Sequence, residues 1–256
     1  MAILMNWTLL STENISEIYY RLFFDHCFFC SIKSTTLICN NCLNGIDENL
    51  TYCLQCKLPT NVPLYNCGTC QKNQPKYHTL IAPYLYQGLI KALISQLKFS
   101  QANSNTYALC TLLAKQLHQH YSDNSNTLNE IASQWPDTIV YVPSHINRIR
   151  ERGFCHMTML AKTLVNQLPK HIKIDHYLLK KVTHNKAQHN QDKQQRLKIK
   201  SNAFQAEAPI PEHIALLDDV ITTGATIEAC VKALQKAGAK RIDVWAFART
   251  PLPNFK

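Results

Sequence analysis

Glycine is scarce in this chain, 6 of 256 residues, which excludes collagen-like repeats and glycine-rich low-complexity sequence. No apolar run reaches the roughly 18 positions that a membrane span needs. Acid is short relative to base, 17 Asp and Glu against 27 Lys and Arg, for a net charge of +10. That surplus points to an anionic partner such as nucleic acid, phosphate or a membrane surface. A basic enzyme without such a partner is the plainer alternative that composition leaves open. With 46% hydrophobic and 17% charged residues the chain is too apolar for disorder and long enough for a core in one or two domains. The opening MAILMNWTLLSTENISEIYY lacks a basic start, and Asn6 and Ser11–Asn14 break its apolar stretch, so it does not read as a secretory signal. The expectation is a cytoplasmic protein, where paired cysteines bind metal more readily than they cross-link.

Cysteine is what the chain has in excess. Eight of 11 fall in one segment, as Cys27-x2-Cys30, Cys39-x2-Cys42, Cys53-x2-Cys56 and Cys67-x2-Cys70, whereas Cys110, Cys155 and Cys230 are scattered. Each CxxC pair aims two sulfurs at one point, and two pairs complete a tetrahedral four-sulfur shell that suits zinc first and iron second. The spacings differ from iron–sulfur motifs. Four sulfurs leave no open coordination position, so the expected role is structural. Two zinc sites are predicted, one per half of the segment; crossed pairing between the halves stays open at this point. The segment holds too few apolar residues to fold without metal.

Residues 71–79 are polar, carry Pro75 and read as a linker. Residues 80–86 read as extended. Leu89, Ile90, Leu93, Ile94 and Leu97 recur at helical spacing, and a second helix is predicted over 106–121. Thr138–Pro143 reads as a buried strand, 153–168 as a helix, and the polar, basic run 184–198 as a loop. Ile214–Val220 is a predicted strand, 225–238 a helix ended by Gly238, and Arg241–Arg249 the last strand. Strands alternating with helices predict an α/β fold, a parallel sheet flanked by helices on both faces. The predicted organisation is an N-terminal segment 1–21, a Cys-rich zinc-ribbon module 22–75 and an α/β domain 76–256.

The most informative segment runs from Ile214 to Thr226: a buried strand, two acids, a hydroxyl-rich turn with one glycine, then a helix. Backbone N–H groups at a helix N-terminus carry partial positive charge and suit a phosphate. Thr222, Thr223 and Thr226 add hydroxyl donors, and Gly224 lets the backbone approach closely. Asp218 and Asp219 fall at the carboxyl end of a strand, where open parallel sheets place ligands, and can accept hydrogen bonds from sugar hydroxyls. The plainer alternative is that Asp219 caps the helix.

LLDDVITTGAT resembles the ribose-5-phosphate fingerprint of type I phosphoribosyltransferases, which bind phosphoribosyl pyrophosphate (PRPP). The resemblance implies that Asp218 and Asp219 hold the ribose 2′- and 3′-hydroxyls and that Thr222, Thr223, Gly224, Ala225 and Thr226 cradle the 5′-phosphate, with Mg²⁺ accompanying PRPP. It implies a pyrophosphate loop with Ser144, Arg148 and Arg152, and a mobile loop over 181–200.

A narrower resemblance is to the ComF family, proteins linked to DNA uptake in natural transformation, in which a double CxxC module precedes a phosphoribosyltransferase-like domain. It rests on the four CxxC pairs, Leu97-Lys98-Phe99, the stretch Val142-Pro143 through Arg148 to Arg152-Gly153-Phe154, and Gln188, Arg196 and Ala203-Phe204. It covers roughly 22–250. The chain departs from the family pattern at Cys155-His156, where Asn-Gln is usual, and at Ile199, where Asn is usual. The resemblance implies a protein that binds PRPP and handles incoming single-stranded DNA in the cytosol, with DNA-uptake machinery as further partners.

Basic residues crowd 148–200 and could track a single-stranded nucleic-acid backbone. Lys181, Lys186, Gln188 and Arg196 are the candidate DNA contacts. Phe99, Phe154 and Phe204 are candidate stacking residues, with ordinary core packing the commoner fate of Phe. His145 and His156 flank the pyrophosphate segment and receive no role. The alternative function is catalytic phosphoribosyl transfer to an unidentified base or amine. By resemblance, Thr222 stands where enzymes acting on 6-oxopurines carry an Asp, which disfavours hypoxanthine and guanine as acceptors.

Overall fold

The computed structural model describes residues 26–98, 103–123, 134–144, 146–182 and 203–253. Contacts divide the chain into two compact units between Ile46 and Asp47.

The described part of the first unit is a metal-type knuckle pair with one short helix, α1 (Asn40–Asn44). Ser31 takes a left-handed φ of 56° directly after Cys30. This turns the chain so that the Ser31 N–H reaches Cys27 O at 2.9 Å and the Cys27 N–H reaches Ile32 O at 2.6 Å.

The second unit begins with the same construction. Lys57, directly after Cys56, has φ 52°, and its N–H reaches Cys53 O at 2.8 Å while the Cys53 N–H reaches Leu58 O at 2.9 Å. Helix α2 (Gly68–Lys72) follows. Residues 71–79, read from sequence as a linker, are fastened down. The Tyr77 hydroxyl donates to Gln55 O at 3.2 Å, and Gln235 Nε2 donates to Lys76 O at 2.9 Å. The second cysteine group thus shares a unit with the sheet.

That sheet holds β1 (Thr79–Ile81), β2 (Tyr84–Leu85), β3 (Thr138–Tyr141), β4 (Lys173–Ile174), β7 (His213–Ile221) and β8 (Arg241–Arg249). The order is β1-β8-β7-β3-β4, with β2 also on β8, and every pair is parallel. The helices are α3 (Gly88–Leu97), α4 (Asn103–Asp123), α5 (Ile146–Arg152), α6 (His156–Val165) and α7 (Ala225–Ala237). The two central strands are apolar on both faces, as a sheet covered on both sides demands. One face presents Val140, Ile214, Leu216, Val244 and Ala246 to Ile227, Val231 and Leu234 of α7. The other carries Trp245, whose indole N–H donates to the Tyr121 hydroxyl of α4 at 3.2 Å. Helix α6 packs on β3, β4 and β7.

The parallel sheet with helices on both faces is the fold class the sequence predicts. Two features differ from the expectations. Residues 146–152 of the pyrophosphate segment form helix α5 instead of a loop, because no Gly or Pro interrupts Ile146–Arg152 and Gly153, at φ 75°, ends it. An antiparallel hairpin, β5 (Leu179–Lys181) with β6 (Phe204–Ala206), flanks the basic run. Its strands are too short to carry a period. Lys186, Gln188, Arg196, Phe99 and His145 lie outside the described residues.

Candidate functional site

The nine residues of β7 stay hydrogen-bonded to β8 through Ile221, so Asp218 and Asp219 sit within the last turn-ward residues of the strand. Buried Leu216 and Leu217 precede them. Beyond Ile221 the chain turns through Thr222–Gly224 into α7. Gly224, at φ 83°, is the N-cap, a conformation L-residues avoid. Glu228 N–H bonds Gly224 O at 2.9 Å, and the Ala225 N–H reaches Thr223 Oγ1 at 3.4 Å. Asp219 is five residues before the N-cap and does not cap the helix, which removes the plainer alternative.

The acid pair is asymmetric. The Asp219 N–H bonds Asp218 Oδ1 at 2.9 Å and the Val220 N–H bonds Asp219 Oδ1 at 2.7 Å. Asp219 Oδ2 receives Lys98 Nζ at 2.7 Å and His156 Nε2 at 3.2 Å. Burial raises the Asp218 carboxyl well above the usual carboxylate range, and the neighbouring Asp219 charge adds to this. Burial also acts on Asp219, but the hydrogen bond from His156 and the charge of Lys98 overcome it and hold that carboxyl below the usual range. The two carboxyls are therefore driven in opposite directions, as adjacent carboxyls are when one has the cations.

Around this pair opens a cleft of about 590 Å³, lined by Lys98, Ser144, Arg152, His156, Lys181, Asp218, Asp219 and Thr226, with Met157 and Phe204 as apolar wall. Four of its basic side chains come from four separate elements, which is why no local charge run in the sequence predicts them together. Lys98 and His156 are the residues that sequence reasoning left without a role. The available signal was Lys98 directly after the last buried residue of α3, and His156 opening α6. Arg152 and Ser144 line the same cleft as the acid pair. Lys181 stands 5.7 Å above the ring of Phe204, and that ring is buried in the core, so Phe204 is a packing residue. Phe154 is half-buried. Thr222, Thr223 and Gly224 line a second, smaller cavity of about 260 Å³ on the other side of the turn, together with Cys56, Cys70, Tyr77 and Arg249.

The cysteines group within each half: Cys27, Cys30, Cys39 and Cys42 in one cluster, Cys53, Cys56, Cys67 and Cys70 in the other, with the sulfurs of each within 4.8 Å of one another. Crossed pairing between the halves is thereby excluded. The donor chemistry fits a metal. Cys39 N–H points at Cys27 Sγ (3.3 Å) and Cys67 N–H at Cys53 Sγ (3.2 Å), donors that favour thiolate. Burial raises both thiols, yet the backbone N–H groups around them, that of Cys39 foremost for Cys27 and that of Cys56 for Cys53, prevail and bring Cys27 down to about 6 and Cys53 to about 7. Burial, with the neighbouring thiols of each cluster, drives Cys42 and Cys70 upward. Both clusters can hold zinc, and a four-sulfur shell would make each site structural. Among the described residues no helix is long and apolar enough to cross a membrane.

No protein-family model matches the chain. It is 31% identical over 215 residues to the DNA utilization protein YhgH of Escherichia coli (strain K12), an alignment spanning 83% of this chain and 90% of that protein. This chain belongs to the ComF family. The YhgH protein of Salmonella typhimurium is 29% identical over 214 residues, with the same coverage. Competence protein F of Haemophilus influenzae is 28% identical over 216 residues, covering 83% of this chain and 90% of that one. Among solved structures, a Staphylococcus aureus hypoxanthine phosphoribosyltransferase aligns over 60% of this chain and 67% of its own, at 14% identity and a TM-score of 0.31. In this ComF protein the parallel sheet carries the strand–acid-pair–turn–helix unit, and each half of the cysteine-rich segment forms its own four-cysteine cluster.

Proposed function

We propose that this protein serves DNA uptake in natural transformation: that it binds PRPP through Asp218, Asp219 and the Thr222–Thr226 turn, and handles incoming single-stranded DNA in the cytosol. The observation that carries the PRPP reading is the half-buried acid pair at the carboxyl end of β7, opening on a cleft that Lys98, Arg152, His156 and Lys181 also line, with Glu151 its one further acid. A ribose diol donates to the ionised Asp219 and to Asp218. The pyrophosphate faces Lys98, Ser144 and Arg152, and the 5′-phosphate takes the N-terminal amides of α7. Mg²⁺ arrives with PRPP, held mostly by pyrophosphate and ribose oxygens.

The DNA reading is supported by the names of the relatives, a DNA utilization protein and a competence protein, and by the net charge of +10. Lys181, Lys186, Gln188 and Arg196 are the proposed contacts, with binding that weakens as salt rises. Proteins of the DNA-uptake machinery are the expected further partners.

The test is calorimetric titration of PRPP–Mg²⁺ into the full chain and into the double variant D218N/D219N, with single-stranded DNA titrated into both. The expected result is PRPP heat with the wild type alone and DNA binding with both. A wild type that gives no PRPP heat overturns the ligand reading; a wild type that does not bind DNA overturns the other. Pyrophosphate release when a base or amine is added would convert the binding reading into the catalytic one.

A further inference from the structure

Arg249 closes β8 and is 4% exposed. Its guanidinium reaches in two directions. Nε donates to Cys56 O at 3.0 Å, inside the knuckle turn between Cys56 and Lys57. Nη1 donates to Ile221 O at 2.8 Å and also to Thr222 O, the first two carbonyls of the turn that leads to α7. The backbone reinforces the attachment: Thr250 N–H bonds the same Ile221 O at 2.9 Å. One rigid fork therefore spans two parts of the chain far apart in sequence, a geometry that guanidinium offers and ammonium does not.

All three acceptors are neutral carbonyls. A buried cation satisfied only by neutral groups is costly, and two anionic neighbours line the same cavity, Glu228 and the cysteine cluster. Cys56 and Cys70 line the same small cavity as Arg249, Thr222, Thr223 and Gly224. A divalent ion in four thiolates carries a net charge of about −2, the opposite sign to the guanidinium. The Cys53/Cys56/Cys67/Cys70 group is thus joined to the turn both by a hydrogen-bonded strut and by charge.

We propose that Arg249 is a positioning residue that ties the Cys53/Cys56/Cys67/Cys70 knuckle to the Ile221–Gly224 turn, so that metal in this knuckle sets the geometry of the turn. The cluster built on Cys27, Cys30, Cys39 and Cys42 has no such link in the proposal. The consequence for PRPP rests on the functional reading above, but the coupling itself does not.

The test is hydrogen–deuterium exchange on the full chain, read on the amides of Thr222–Glu228, with β7 and β8 as the fold control and zinc counted by native mass spectrometry. The proteins are the zinc-loaded wild type, C67S, C39S, R249K and R249M. Exchange in the turn should rise about tenfold or more in C67S, R249K and R249M, the effect of losing a few buried hydrogen bonds. It should keep its wild-type rate in C39S, and both Arg249 variants should retain zinc. Wild-type exchange of the turn in R249M or R249K, with zinc bound, overturns the proposal, as does loss of zinc from C67S without faster exchange in the turn. Should C67S lose protection in β7 and β8 as a whole, the zinc-retaining R249K decides between the same two results. A wild type that fails to bind PRPP but shows this coupling refutes the ligand reading and leaves the strut standing.

Discussion

Replacing Asp218 with Asn should stabilise the ligand-free protein while removing the ribose contact. Asp218 is half-buried beside Asp219, and the two neighbouring cations both go to Asp219 Oδ2. Its folded-state pKa is raised, so above the unfolded value of about 3.9 the folded chain holds one proton more than the unfolded chain. The sign follows from linkage: stability falls as pH rises, by about 1.4 kcal/mol per pH unit, until the folded pKa is passed. The Asn variant lacks this loss. Its advantage over the wild type should therefore grow with pH, by about 3–5 °C in Tm per unit for a domain of this size, and then level off. Thermal unfolding of both proteins from pH 5 to 9 without ligand measures it. An Asn variant equal to or below wild type at pH 8, or a gap that does not change with pH, refutes the assignment of the proton to Asp218.

Gly224→Ala meets no neighbouring atom, so its cost is the left-handed backbone alone, about 1–2 kcal/mol. Calorimetry should show PRPP affinity reduced by about tenfold, and unchanged affinity would mean the turn does not touch ligand. Trp245→Ala empties the fully buried site whose indole bonds Tyr121; a loss of about 3–5 kcal/mol is expected, and a Tm within 2 °C of wild type, set against the roughly 6 °C or more that this loss implies, would contradict the two-faced core. Lys186→Ala and Arg196→Ala should each lower the slope of log K against log salt for single-stranded DNA by about 0.7, and an unchanged slope removes that residue from the contact.

What could be read from sequence follows the range of the interactions involved. β8 and α7 were legible to the residue or nearly so, because a nine-residue apolar strand and a helix ended by Gly238 carry their signals locally. The acid pair and its turn were legible for the same reason. The sulfur spacing gave the ligands and one site per half, but setting aside crossed pairing needed the fold of the knuckles, where Ser31 and Lys57 turn left-handed against the usual preference of non-glycine residues. Lys98 and His156 were illegible because their meaning lies in Asp219, more than 60 residues from the nearer of them, and only the fold that ends α3 and starts α6 beside Asp219 brings them there. Arg249 was hidden more deeply: in sequence it is merely the last residue of a strand.

The most direct test of the central claim is the position of PRPP with Mg²⁺ in crystals of the full chain. The account predicts the ribose hydroxyls within hydrogen-bond reach of Asp218 and Asp219, the 5′-phosphate on the amides that open α7, and the pyrophosphate toward Lys98 and Arg152. A cleft without PRPP at saturating ligand, or PRPP bound away from Asp218 and Asp219, would contradict it.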